Sequence, residues 1–148
     1  LERLFAINVV GLMLCCREAT RRMSTRHGGK GGAIVNVSSM AATLGGRKAA
    51  SAYAATKGAV DAFTKGFARE VAAEGIRVNS IRPGAVTTEM TQDRLSDTAV
   101  RDAIAASIPI QRIGEAHEIA DAILWLLSDQ ASFITGAMLD ASGGGYVI

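Results

Sequence analysis

The sequence predicts an α/β fold: the C-terminal half only of a doubly wound parallel sheet, three strands with their helices, forming one domain over residues 1–148. Helical and strand patterns alternate along the chain with short connections, the arrangement that gives parallel strands joined by right-handed crossovers. Gly and Ala are abundant while aromatics make up 5% of the residues, which favours close packing of helices on a sheet over an aromatic-lined surface. The first helical pattern is already in progress at Leu1, with no capping residue before it and no start methionine. A truncated chain is therefore expected, lacking the half of the sheet that would precede it. Three strands alone would leave the first with an apolar edge, which native domains avoid.

Each element has its own signal. Leu1, Leu4, Phe5, Asn8, Leu12, Cys16 and Ala19 recur at three and four, one face of a helix from Leu1 to about Met23. The glycines from Gly28 to Gly32 end it. Ala33-Ile34-Val35-Asn36-Val37 reads as a short buried strand running into Ser38-Ser39. A loop with Gly45 and Gly46 leads to a second helix, about Ser51 to Glu74, whose apolar face carries Val60, Phe63, Phe67 and Val71. Gly75 supplies its stop. Arg77 to Ile81 is the second strand, closed by Pro83-Gly84. A polar loop with one short helical insert is predicted from about Val86 to Pro109. A third helix, about Glu115 to Ser128, is predicted to bury Ile119, Ile123, Leu126 and Leu127. Ala137 to Asp140 forms the last strand before the Gly143-Gly144-Gly145 turn.

Composition narrows the function. With 49% hydrophobic and 20% charged residues the balance is that of a globular domain. The net charge of +2 is too small to argue for nucleic acid, and Arg17, Arg21, Arg22 and Arg26 read as a solvated helix face. Cys15 and Cys16 are adjacent on a helix, where their side chains diverge by about 100°, so neither a disulfide nor a metal site is expected. A reduced, cytoplasmic setting is expected. The longest apolar run, Val9 to Cys16, is well short of a membrane span.

Tyr53 and Lys57 are four apart in a helix and so share a face. A free phenol, with a pKa near ~10, is a weak base at neutral pH, and a neighbouring ammonium lowers that value by roughly 1–3 units. The pair is thus suited to acid–base work; its plainer alternative is an ordinary helix-surface pair. Ser39 lies just past a parallel strand, where open α/β sheets bind ligands, and its hydroxyl could bond a reacting oxygen. It could equally cap the following turn, as could Ser38. Asn8 is the polar member of an apolar row, read either as a satisfied structural amide or as the holder of a water in a proton path. Pro83-Gly84-Ala85-Val86-Thr87-Thr88 is a strand-end turn with hydroxyls to offer a polar ligand. Hydrolysis by Ser39 is excluded, because His27 and His117 fall outside the predicted site and no strand–G-x-S-x-G–helix elbow occurs.

Five ordered segments then give a family resemblance: Ile7-Asn8-Val9-Val10-Gly11, Ile34-Val35-Asn36-Val37-Ser38-Ser39, Tyr53-Ala54-Ala55-Thr56-Lys57, Arg77-Val78-Asn79-Ser80-Ile81-Arg82-Pro83-Gly84 and Asp140-Ala141-Ser142-Gly143-Gly144. Together they resemble the C-terminal catalytic part of a single-domain short-chain dehydrogenase/reductase, similar to 3-oxoacyl-ACP reductases and glucose 1-dehydrogenases. The resemblance implies a Rossmann-like fold and an oxidoreductase that uses NAD or NADP to interconvert a carbonyl and a secondary alcohol. It implies Tyr53 as general acid or base, Lys57 lowering its pKa and bonding the nicotinamide ribose, Ser39 stabilising the reacting oxygen, and Asn8 holding a water that links Lys57 to solvent. Pro83, Gly84, Val86 and Thr88 match the segment beside the nicotinamide, and the loop from Thr88 to about Ile108 matches the substrate lid. The family's Gly-rich phosphate turn is absent, since Gly28 to Gly32 precede a strand. Implied partners are a small-molecule substrate and, in the full-length form, a homodimer or homotetramer, with no nucleic acid or membrane. The competing expectation is an inactive truncated fragment that serves only for association.

Overall fold

The computed structural model describes residues 1–145. Helix α1 (Glu2–Phe5) passes through a π-helical stretch, Ala6–Gly11, into α2 (Leu12–Met23). The sequence predicts one regular helix here; the π turns, which insert a residue into the helical register, are the difference. Val9 is buried in this stretch, Asn8 and Leu12 are half-buried, and Leu1 is exposed. Ser24 ends this segment, its Oγ accepting from the Arg26 N–H, and strand β1 (Gly32–Val37) follows.

A single turn, α3 (Ala41–Leu44), precedes α4 (Ser51–Val71). A 3-10 turn, Ala72–Glu74, and left-handed Gly75 (φ 75°) close α4, as predicted. Strand β2 (Ile76–Pro83) and the two-residue β3 (Val86–Thr87) come next. The predicted polar loop holds two helices rather than one insert, α5 (Glu89–Leu95) and α6 (Thr98–Ser107). Each has its own cap: Thr88 and Thr91 box the start of α5, and Asp97 Oδ1 accepts from the N–H of Ala99 at 2.9 Å. The chain continues through β4 (Gly114–Glu115), α7 (Ala116–Leu127) and β5 (Met138–Ala141).

The main sheet is parallel, in the order β1-β2-β5, with Ile34 opposite Val78 and Ser80 opposite Met138. Among the described residues β1 is therefore an edge strand. Alternation along β2 sends Ile76, Val78 and Ser80 to one face and Arg77, Asn79 and Ile81 to the other. The first face carries α4, whose Ala68 and Val71 pack on Ile76 and Val78 with Met23, Ile34 and Phe67 around them. The second carries α7, whose C-terminal carbonyls receive Arg77: Nη1 donates to Leu126 O at 2.9 Å and Nη2 to Ser128 O at 3.0 Å. Helices thus cover both faces, the doubly wound arrangement. A second small sheet pairs β3 with β4 in parallel, Val86 opposite Gly114, and no sequence pattern announced it.

Two burial expectations change. Leu126 is buried and Ile119 and Ile123 half-buried, but Leu127 is 41% exposed, because adjacent residues of one helix cannot both face the sheet. The interface between α4 and the sheet is partly polar: buried Thr64 meets Asn36, buried Asp61 meets Ser80, and buried Ser38 meets the Lys57 carbonyl. Asn36 Nδ2 donates to Thr64 Oγ1 at 2.9 Å, while its Oδ1 accepts from the Cys16 thiol. Both cysteines are free, and burial pushes the Cys16 thiol above its ordinary range. Among the described residues no helix is long and apolar enough to cross a membrane.

Candidate active site

The carboxyl ends of the three strands form a shelf. Beyond β1, the Ser38 N–H donates to Ile81 O at 2.8 Å and the Met40 N–H to Pro83 O at 3.0 Å, so Ser38 to Met40 run beside the end of β2. The Gly84 N–H donates to Ala141 O at 3.0 Å, joining that turn to the end of β5. A Cβ on Gly84 would lie 2.9 Å from Ser142 Cα, so only glycine permits this approach.

Helix α4 is stapled to the shelf through its first turns. Ser38, 3% exposed, donates its hydroxyl to Lys57 O at 3.1 Å. Lys57 Nζ donates to Val37 O at 2.9 Å and lies 5.7 Å from the centre of the Tyr53 ring. Burial at the strand end pulls the Lys57 ammonium below the usual lysine value, and the charge of Asp61 pulls it partly back. Tyr53 is 37% exposed, and its hydroxyl has no partner among the described residues.

The two serines separate. Ser38 is spent on holding α4, whereas Ser39 is half-buried, accepts from the Ala41 N–H at 3.2 Å and keeps its own O–H free to donate. Both alternatives for Ser39 coexist: it caps the turn and still offers a proton. Asn8 projects from the π-helical stretch, and its Nδ2 donates to Thr56 Oγ1 at 3.1 Å; that hydroxyl donates to Tyr53 O at 2.7 Å. One amide N–H is thus spent on the turn that carries Tyr53.

Ser39, Tyr53, Lys57 and Asn8 therefore gather around the start of α4, with Pro83 and Gly84 on the adjoining shelf. Val86 and Thr88 lie farther along, at the base of α5. Val86 is buried, and its carbonyl accepts from Thr91 Oγ1 at 2.8 Å. Exposed Thr88 gives its N–H to the same Thr91 hydroxyl at 2.9 Å, with its own hydroxyl 3.1 Å from it. The Thr88 hydroxyl thus sits in the helix cap. Under α5 and α6 opens a cleft of about 560 Å³, lined by Thr87, Leu95, Arg101, Ala105 and Arg112 among others.

Several contributors were missed from sequence. Thr56 and Thr91 were given no role of their own. A charge network, Asp61–Arg82–Asp140, buried at Asp61 and exposed at Asp140, also went unseen: Arg82 Nε bonds Asp61 Oδ2 at 2.8 Å, Arg82 Nη1 lies 3.3 Å from Asp140 Oδ1, and Ser80 Oγ donates to Asp61 Oδ1 at 3.2 Å. The available signal was Asp61, one helical turn beyond Lys57.

This geometry agrees with comparison to known proteins. The family described as enoyl-(acyl carrier protein) reductase matches residues 1–146. The chain belongs to the short-chain dehydrogenase/reductase family. A member named uncharacterized oxidoreductase YgfF, from Escherichia coli, is 51% identical over 97% of this chain and 58% of its own length. The 3-oxoacyl-[acyl-carrier-protein] reductase FabG of Vibrio cholerae is 39% identical over 95% of this chain and 55% of its own. Among solved short-chain dehydrogenase/reductase structures, a gluconate 5-dehydrogenase from Burkholderia cenocepacia in complex with NADP and tartrate superposes with a TM-score of 0.88 at 32% identity, over 97% of this chain and 55% of that one. A 4-hydroxyisoleucine dehydrogenase complexed with NADH gives 0.86 at 34% identity, over 95% and 56%. This short-chain dehydrogenase/reductase chain thus spans a little over half the length of these relatives.

Proposed function

We propose that this chain carries the catalytic part of a nicotinamide-dependent oxidoreductase that interconverts a carbonyl and a secondary alcohol. One observation carries the reading: Lys57 Nζ, anchored on Val37 O at 2.9 Å, stands 5.7 Å from the Tyr53 ring at the strand end that bears Ser39. Relatives named as dehydrogenases and reductases support it, as do neighbours holding NADH or NADP.

The residues present fit the nicotinamide end of such a cofactor. An ammonium has three N–H bonds, and Lys57 spends one on Val37 O, leaving two for ribose hydroxyls. The unpartnered Tyr53 hydroxyl remains for the substrate. The phosphate end is a different matter: among the described residues no Gly-rich turn joins a strand to a following helix. Either NAD or NADP is compatible with these groups. When bound, the dinucleotide supplies or accepts the hydride.

The chain's own residues manage the proton and the geometry. In carbonyl reduction Tyr53 donates its phenolic proton to the substrate oxygen; in alcohol oxidation the phenolate takes it. The Lys57 ammonium favours that phenolate by its charge. Ser39 donates a hydrogen bond to the same oxygen as charge develops there. Asn8, fixed through Thr56, marks where a water would link Lys57 to solvent. Pro83, Gly84, the Val86 backbone and Thr88 would border the nicotinamide. The substrate would be a small carbonyl or alcohol admitted beneath α5 and α6. Association of copies into dimers or tetramers belongs to the same reading, supported by exposed Ile7, Val10, Leu14, Leu124 and Trp125.

Tyr53→Phe tests the proposal directly. Oxidation of reduced nicotinamide cofactor, assayed with a panel of ketones and aldehydes, is expected to fall by roughly 10²–10⁴-fold, with an unchanged circular dichroism melt. Undiminished turnover would overturn the assignment.

A further inference from the structure

The Asp61–Arg82–Asp140 network has no part in the mechanism above, yet it borders the site. Asp61 sits one helical turn beyond Lys57 on α4, is 7% exposed, and faces Arg82 and Ser80 of β2. Arg82, whose side chain is 16% exposed, bridges Asp61 to Asp140 of β5 and immediately precedes Pro83-Gly84. Two carboxylates share one guanidinium, so with all three ionised the cluster carries one net negative charge. Asp61 is the buried member of that cluster, while Asp140 at its far end is exposed.

Lys57, half-buried and one helical turn before Asp61 on α4, is placed to feel that charge, whereas Lys65, one turn beyond Asp61, is exposed. Of the other elements packed on its helix, β1, α3 and the π-helical stretch contribute no charged residue; α1 carries Glu2 and Arg3, α2 carries Arg17, Glu18, Arg21 and Arg22, and the 3-10 turn carries Glu74, all exposed except the half-buried Glu18 and Glu74. Tyr53 is the remaining titratable neighbour. We propose that Asp61, Arg82 and Asp140 form a positioning network for Lys57, giving its ammonium a counter-charge from inside the fold. Arg82 sets the size of that counter-charge by neutralising part of it. The directions at Lys57 agree: burial lowers its pKa and Asp61 opposes the lowering.

The network's meaning for catalysis rests on the role given to Lys57 above, but the charge coupling is measured without activity. The ε-methylene signal of Lys57, assigned through Lys57→Arg, can be titrated by NMR in the protein and its variants. Asp61→Asn is expected to move the Lys57 midpoint to lower pH, and Arg82→Gln to higher pH. Opposite movements mark charge coupling, since mere loosening of the fold would shift both the same way. Asp140→Asn, at the more exposed end, is expected to move the midpoint down by less, and it decides alone should the inner variants not fold. An unmoved Lys57 midpoint, or movement of Asp61→Asn and Arg82→Gln in the same sense, overturns the proposal. Undiminished turnover in Tyr53→Phe would sink the catalytic reading and leave this titration result untouched, so the two readings fail independently.

Discussion

Ser38 and Ser39 differ by one position and by everything around them. The Ser38 hydroxyl is buried and bonded to the Lys57 carbonyl, while Ser39 is half-buried beside the Tyr53 helix. Ser38→Ala removes a buried bond that ties the helix to the strand end, added to the carbonyl's own helical bond, and is expected to lower stability by about 0.5–1.5 kcal/mol in urea unfolding. Ser39→Ala removes only a turn bond, worth about 0.5–1 kcal/mol, but should reduce turnover by roughly 10²-fold. A larger turnover loss in Ser38→Ala than in Ser39→Ala would refute the role given to Ser39. Sequence alone left these two as equal cap candidates. A hydroxyl's partner across the fold, here 19 residues away, is invisible to local spacing.

At the scale of elements, the start of α7 is held by a fork of charge. Arg112 Nη1 donates to Glu118 Oε2 at 2.7 Å, and the Glu115 N–H donates to the same oxygen at 2.8 Å. The Arg112 guanidinium foremost, with the Glu115 amide, pulls Glu118 from its ordinary 4.5 to about 2. A carboxyl lowered on folding stabilises the native state above its unfolded value, and that contribution is lost as pH falls through the folded one. The stability difference between the protein and Glu118→Gln should therefore be full above pH 4.5 and vanish towards pH 2, read by urea midpoints across the acid range. A difference constant with pH would contradict it. The helix itself was legible from Ile119, Ile123 and Leu126. The π-helical stretch at Asn8 was not, because the apolar row reads the same whether or not the helix widens.

Across the whole molecule, one side chain joins the helical layer to the sheet. Arg77 donates to four carbonyls, those of Leu126, Leu127, Ser128 and Ile134. It gathers the end of α7 and the approach to β5 onto β2. A guanidinium suits this because its planar donors meet several acceptors at once, at a helix end that favours positive charge. Arg77→Met is expected to cost about 2–4 kcal/mol, measured by urea unfolding, since it strands those carbonyls. A cost below about 0.5 kcal/mol would show that water replaces the bonds. The stretch around Arg77 read correctly as a strand, yet nothing local marks the arginine as a cap for a helix some fifty residues later.

Local pattern sufficed for the alternation of helix and strand, for the parallel sheet and for the shared face of Tyr53 and Lys57. Those features depend on periodicity within a few turns of chain. Which serine keeps a free hydroxyl, where the first helix widens and how Asp61, Arg82 and Asp140 meet were settled only on folding. Each of these is a contest among buried polar groups for partners far apart in sequence, and that contest is decided by three-dimensional proximity.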